Sequence, residues 1–184
     1  MLVHETKTRT REFLNPEKLL KQVPLEPEMT VADFGCGNGY FSVPSGLLIG
    51  KKGQVFALDI MEEALSQTAT LAKLAATPNI STQICDLEKI GSCPIPNTSC
   101  DLVIISSLLH QAENKDNVIR EAYRVLKTAG RLLVVEWQKF SPLGPPSARR
   151  LSKDEAQNLL EKYGFRPVKE LPAGSFHFAL LYSK

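Results

Sequence analysis

The segment VADFGCGNGYFS, residues 31–42, carries three glycines, Gly35, Gly37 and Gly39, in a G-x-G-x-G spacing behind a carboxylate, Asp33. A backbone without Cβ atoms turns tightly and lets a ligand approach it closely. Spacing then sorts the candidate ligands. A loop that cradles a triphosphate needs G-x-x-x-x-G-K-[ST], and no such run occurs. A dinucleotide fingerprint, G-x-G-x-x-G, fits Gly35 and Gly37. It puts Tyr40 where a third glycine lets helix and strand pack closely, and a collision is expected there. A second carboxylate, Asp59, lies about 20 residues beyond the loop, the distance at which an acidic residue receives a ribose. A carboxylate can accept from both hydroxyls of a diol. The combination predicts a nucleoside with a free ribose diol and no pyrophosphate.

Strand ends must hold these groups. TVADF, ahead of the glycines, and QVFALD, ending on Asp59, read as short strands. ISTQICD is a third, and DLVIISS and GRLLVVEW are apolar throughout, as central parallel strands covered on both faces are. Helices are expected between them. Asn15 as N-cap and Pro16 at the first helical position start one that runs to about Val23. Others are read over residues 40–49, over 62–76 with Leu65, Ala69, Ala72 and Ala76 on one side, and over 117–127. Residues 138–150 are punctuated by Pro and Gly and read as a long loop. Ser152 and Glu155 form a capping-box pattern ahead of a helix that Gly164 ends. FRPVKEL and SFHFALLYS, close together, predict an antiparallel hairpin. The expected fold class is α/β: a Rossmann-like, doubly wound seven-stranded sheet, mostly parallel with an antiparallel C-terminal strand. Ligands of such sheets lie beyond the carboxyl ends of the strands, where the glycines sit.

The 184 residues fit a single domain, 1–184, with 1–24 as an N-terminal lid segment. The net charge of +2 comes with no block of like charge, which argues against nucleic-acid and membrane-surface partners. No apolar run approaches the roughly 20 residues of a membrane span. The polar start MLVHETKTRTREFLNP reads as no export signal, so a cytoplasmic protein is expected. Cys36, Cys85, Cys93 and Cys100 form no C-x-x-C pair. They are expected to be reduced, buried thiols with no metal site.

Taken in order over residues 15–137, the motifs resemble the class I S-adenosylmethionine-dependent methyltransferases. VADFGCGNGYFS resembles their first motif, ALDI their second, and CDLEKI the motif after the third strand. DLVIISSLLHQ is similar to the fourth-strand motif, and EAYRVLKTAGRLLVVEW to the R-V-L-K-P-G-G turn and fifth strand. Among subgroups the chain is most similar to the ubiquinone/menaquinone-biosynthesis type and its small-molecule relatives. Thr128 and Ala129 replace the usual Pro-Gly and bear on local turn geometry alone.

The resemblance implies S-adenosylmethionine as cofactor and S-adenosylhomocysteine as product. It implies that amides of the loop Gly35, Cys36, Gly37 and Gly39 face the methionine carboxylate beside a helix N-terminus. Asp33 would fix the loop or reach the ammonium through water. Asp59 would take the ribose, Asp86 the adenine amino group, Ile60 and Leu87 the adenine faces, and the Ser106 carbonyl the ammonium. Asp33 as a turn cap and Asp86 as the N-cap of a short helix stay open as alternatives.

Methyl transfer from a sulfonium is an in-line displacement, so position and a dry pocket matter most. His110, four residues past Ser106, is the candidate general base, with a packed histidine as the alternative. His4 falls on the N-terminal arm, and His177 is expected to pack on the hairpin or face solvent. The fourth-strand motif reads SSLL rather than an N-P-P-Y-like tetrapeptide, and no basic patch is seen, which leaves a small-molecule acceptor. Phe13 and Leu14 are expected as a lid and residues 138–150 as another wall. Arg149 and Arg150 are expected to meet an anionic acceptor or to end a solvated loop. A domain that binds S-adenosylmethionine without transferring its methyl, as sensor or partner subunit, is the alternative function. Oligomeric state is left open.

Overall fold

The computed structural model describes residues 12–184. Asn15 caps α1 (Pro16–Leu20) by accepting from the Lys18 amide at 2.9 Å, and Pro16 sits where a helix amide lacks a partner anyway. Seven strands then form one sheet: β1 (Thr30–Phe34), β2 (Gln54–Asp59), β3 (Ile80–Ile84), β4 (Cys100–Ser106), β5 (Leu126–Trp137), β6 (Arg166–Leu171) and β7 (His177–Ser183). Their order is β3-β2-β1-β4-β5-β7-β6. The pairs from β3 to β5 are parallel, and β7 runs antiparallel to both β5 and β6. The remaining helices are α2 (Ser42–Ile49), α3 (Glu62–Leu74), α4 (Lys115–Val125) and α5 (Lys153–Lys162).

The central strands bury both faces, as their apolar runs require. Val31, Leu102, Ile104 and Leu133 pack with Leu19 and Leu20 of α1 and Ile49 of α2. Ala32, Phe34, Val103, Ile105 and Val134 pack with Val118, Ile119 and Ala122 of α4 and Leu160 of α5. The expected capping box on α5 is present, with Ser152 and Glu155 each accepting from the other's amide.

Several boundaries and faces differ from expectation. Helix α2 begins at Ser42 rather than residue 40, because the glycine loop makes another turn first. Helix α4 begins at Lys115, capped by Asn114. On α3 the buried stripe is Ala64, Leu65, Thr68 and Ala72, while Ala69 and Ala76 are exposed. Apolar periodicity passes over Thr68 because it is polar, yet its hydroxyl donates to the Gly37 carbonyl at 2.8 Å. Ala129 stands at φ 63, the left-handed conformation that favours glycine. No helix among the described residues is long and apolar enough to cross a membrane.

After β3 the chain returns to the other side of β1 and forms β4. Connections therefore diverge between the carboxyl ends of β1 and β4, which opens a crevice there.

Candidate active site

A cavity of about 800 Å³ fills that crevice, lined by the loops that follow β1, β2, β3 and β4. Of the residues expected to hold the cofactor, Asp33, Gly35, Cys36, Gly37, Asp59, Ile60, Asp86, Leu87 and Ser106 line it. Gly39 and His110 do not.

The glycine loop is built on β2. The Gly35 and Cys36 amides both donate to the Leu58 carbonyl, at 2.8 and 2.9 Å, and the Gly39 amide donates to the Cys36 carbonyl at 2.9 Å. The Gly37 amide donates to the Asp59 carboxylate at 3.0 Å. These four amides are thus engaged inside the protein, which corrects the expectation that the glycine amides face a ligand carboxylate. The loop supplies room instead. A Cβ at Gly37, which has φ 52, would meet nothing within 4 Å, whereas one at Gly39 would press on Thr68 at 3.0 Å. Close packing against a helix therefore falls on Gly39. Tyr40 is turned outward, 67% exposed, on the cavity wall, so the expected collision does not arise.

Three carboxylates stand at or near the carboxyl ends of three neighbouring strands. Asp33 is 1% exposed and accepts from the Ser42 hydroxyl at 2.6 Å. Burial pushes its carboxyl up to about 6 against the opposing Ser42 bond, and the charge of Asp59 adds to the rise. Asp59 accepts from the Gly37 amide through one oxygen and from the Met61 amide through the other, both at 3.0 Å. Each oxygen keeps a further lone pair, so a diol can still be received. Asp86 accepts from the Glu88 amide at 3.1 Å and pairs with Lys89 at 2.9 Å, and the Lys89 bond holds its carboxyl below the usual range. It caps a turn rather than the short helix that was the alternative.

Cys36 is no nucleophile: burial first, then the charge of Asp33, pushes its thiol up to about 12. Ile60 and Met61, both largely exposed, give the cavity mouth an apolar rim, and Leu87 is buried in its wall. Ser107, beside Ser106, has φ 53, donates its amide to Val135 and lines the cavity. Left-handed serine is uncommon, and such conformations gather at ligand sites.

The turn after β4 sends Leu108, Gln111 and Ala112 to the cavity and His110 the other way. There the His110 Nδ1 lies 3.0 Å from a carboxylate oxygen of Glu136, whose second oxygen accepts from the Leu109 amide at 2.7 Å. Glu136 is buried at the end of β5 and was missed in the sequence, where its signal is a lone acid in the apolar run LLVVEW. His177 packs against Trp137, ring centroids 4.1 Å apart, and burial pushes it down to about 4. His4 and the rest of residues 1–11 of the expected lid lie outside the described residues. Leu14 does line the cavity, and Phe13 packs on Phe176.

Three further expectations are overturned. Arg150 neither meets an anion nor ends a solvated loop: it is buried and donates to the carbonyls of Gln138, Ser141, Leu143 and Pro145. Its guanidinium organises residues 138–150, and none of these lines the cavity. Cys85 and Cys93 are joined as a disulfide rather than being free thiols, because the loop after β3 curls back on itself; Cys36 and Cys100 are free and buried.

A family model described as a methyltransferase domain matches residues 25–164. A ubiquinone/menaquinone biosynthesis C-methyltransferase, UbiE, from Paraburkholderia phymatum is 35% identical over 127 residues, which are 67% of this chain and 50% of that protein. The chain thus spans about half the length of the curated relatives it matches. A crystal structure of a SAM-dependent methyltransferase from Aquifex aeolicus aligns with a TM-score of 0.85 at 27% identity, covering 93% of this chain and 90% of that one. The [4+2]-cyclase SpnF shares the fold, with a TM-score of 0.76 at 16% identity over 92% of this chain and 80% of that one. The fold alone therefore does not fix the chemistry.

Proposed function

The chain belongs to the class I S-adenosylmethionine-dependent methyltransferases, and on that premise we propose that its cavity binds S-adenosylmethionine and that its methyl group passes to a small-molecule acceptor, leaving S-adenosylhomocysteine. The observation that supports this most is the convergence of Asp33, Asp59 and Asp86 from three successive strand ends on one crevice floored by the glycine loop.

The residues fit such a donor. Asp59 receives the ribose diol with its remaining lone pairs, and Asp86 the adenine amino group. Ile60 and Leu87 cover the adenine. The Ser106 carbonyl and the Asp33 carboxylate face the ammonium, a cation that offsets the cost of an ionised, buried Asp33. The space over Gly37 takes the methionine chain. When bound, the donor would supply an electrophilic methyl on a sulfonium, to which the acceptor atom would bond as the C–S bond breaks and the neutral thioether of S-adenosylhomocysteine leaves. Leu14, Phe41, Leu108, Ala112 and Val118 keep the rest of the cavity apolar and limit water at the reacting centre.

His110 does not line the cavity, so it fits the packed-histidine alternative better than the general base: its bond to Glu136 holds the turn that carries Leu108, Gln111 and Ala112 to the cavity. His110→Ala separates the two readings: a general base predicts turnover about 10²-fold lower with S-adenosylhomocysteine affinity unchanged, and a packed histidine predicts lower stability with turnover kept. Unchanged turnover would show that positioning alone carries the reaction.

The curated relatives are named for C-methylation in ubiquinone/menaquinone biosynthesis, so an aromatic carbon is the first acceptor class to test. Calorimetry should show binding of S-adenosylmethionine and S-adenosylhomocysteine and none of NAD, and the reverse would sink the reading. A screen of quinols and hydroxyaromatics with labelled methyl donor then separates an enzyme from a binding subunit, which would bind the donor and methylate nothing.

A further inference from the structure

We propose that Cys85 and Cys93 form a thiol–disulfide couple that sets the affinity of the cavity for S-adenosyl ligands; this rests on the donor-site reading above. Cys85 is the first residue after β3 and lines the cavity itself, as do the next two residues, Asp86 and Leu87. Its Cα lies 5.1 Å from that of Cys93, inside the roughly 4.4–6.8 Å that a disulfide spans. The bond therefore closes a ring that contains Asp86 and Leu87.

The far side of that ring is bolted to α4. The Gly91 amide donates to the buried Glu121 carboxylate at 2.9 Å, and Arg124, paired with Glu121, donates to the Cys93 and Ile95 carbonyls at 3.4 and 2.8 Å. Inside the ring, the Ser92 hydroxyl donates to the Asp86 carbonyl at 2.6 Å. The disulfide thus ties the residue that ends the β3 segment to a point fixed on α4. Without it, Asp86 and Leu87 are held by β3 on one side and, on the other, by these hydrogen bonds and the packing of Leu87, Cys93 and Ile95 in the core, with no covalent tie. Ordering them then falls to the ligand, which weakens binding.

The sulfurs are buried, but Lys89, Ile90, Gly91 and Ser92 at the tip of the ring are exposed and offer a reductant a route. A dithiol reductant, as thiolate, attacks one sulfur. The S–S bond breaks, Cys85 and Cys93 gain two electrons and two protons, and the reductant leaves as its own disulfide. Linkage makes the effect reciprocal: a ligand that prefers the oxidised form must also protect the bond.

The test begins with the thiol count. Denatured under alkylation, the oxidised chain should take two labels, on Cys36 and Cys100, and the reduced chain four. Calorimetry with S-adenosylhomocysteine should then show affinity about fivefold or more weaker in the reduced chain, the low end of coupling between linked sites. The same ligand should lower the midpoint potential of the couple by about 20 mV, that fivefold converted at 30 mV per decade. Cys93→Ala, outside the cavity lining, should bind like the reduced chain whatever the redox state, with circular dichroism reporting an intact fold. Four labels after treatment with oxidised glutathione, equal affinities in both states, or a Cys93→Ala chain that no longer folds would each overturn the proposal. No binding in either state would overturn the donor-site reading along with it.

Discussion

Replacing Asp33 by Asn isolates what a buried carboxylate costs this fold and what it does for the ligand. Burial raises the carboxyl from 3.8 to about 6. Well below pH 3.8 it is neutral in the native and unfolded chains alike and costs nothing. Between pH 4 and 6 the native chain holds a proton that the unfolded chain has released, so stability falls as pH rises. Above pH 6 the full cost is present, about 3 kcal/mol at about 1.4 kcal/mol per pH unit. Asn has the same shape, keeps an acceptor oxygen for the Ser42 hydroxyl and carries no charge. The stability of Asp33→Asn minus that of the natural chain should therefore be small at pH 4, about 0.5 kcal/mol, grow through pH 4 to 6, and level off above pH 7 at about 2–3 kcal/mol. Urea unfolding followed by circular dichroism, in steps from pH 4 to 8, reads that difference directly.

Ligand binding should move the opposite way. An ionised Asp33 is attractive to an ammonium, so S-adenosylhomocysteine should bind the natural chain less tightly as pH falls through about 6. The Asn variant should bind it more weakly at pH 7.5 and lose that pH dependence. A variant that is more stable but binds less well is the mark of a group kept for function at a cost to the fold. A stability gap that is constant from pH 4 to 8, or a variant no more stable at pH 7.5, would refute the reasoning.

Asp59→Ala removes the acceptor for the Gly37 and Met61 amides as well as the ribose partner, and should weaken S-adenosylhomocysteine binding by at least tenfold, about 1.5–3 kcal/mol for a charged acceptor. A smaller change by calorimetry would mean that another group takes the ribose. Gly37→Ala should fold with a loss of about 1–2 kcal/mol for a left-handed alanine, because its Cβ meets no protein atom. It should still bind S-adenosylhomocysteine more than tenfold worse, and parental affinity would place the methionine chain elsewhere. Arg150→Met strips donors from the Gln138, Ser141, Leu143 and Pro145 carbonyls. Chymotrypsin should nick residues 138–150 about tenfold faster, the equivalent of about 1.4 kcal/mol of local stability; an unchanged rate would show that the loop is held by other contacts.

The sheet was legible because each central strand is an apolar run that no exposed segment would carry, and because Asn15, Ser152 and the glycines punctuate the runs with residues whose local conformations are restricted. The errors lie where tertiary contact overrides periodicity. Thr68 counts as polar in a helical wheel but belongs to the buried stripe, since its hydroxyl has a carbonyl to bond. The turn through Tyr40 and Phe41 looks helical in composition, yet the Gly39 amide is already spent on the Cys36 carbonyl.

The residues proposed for the donor could be placed from the sequence for a reason that does not extend to the acceptor side. Asp33, Asp59 and the residue pair Asp86–Leu87 stand at or just past strand ends, so knowing the strands is enough to place them. What the glycine amides do is not local: they bond to Leu58 and Asp59 because β2 runs parallel beside β1, and no property of residues 35–39 foretells that register. The same holds for Glu136 meeting His110 across 26 residues, and for the Cys85–Cys93 bond, whose spacing matches no short motif and depends on how α4 pins the intervening loop. A charged group in an apolar strand is costly unless something pays it back, so the lone glutamate of LLVVEW is the one non-local feature the sequence signals. Its partner has to be a donor from a neighbouring strand end. With β4 beside β5, the turn after β4 is the nearest source, and His110 and the Leu109 amide are the donors found there.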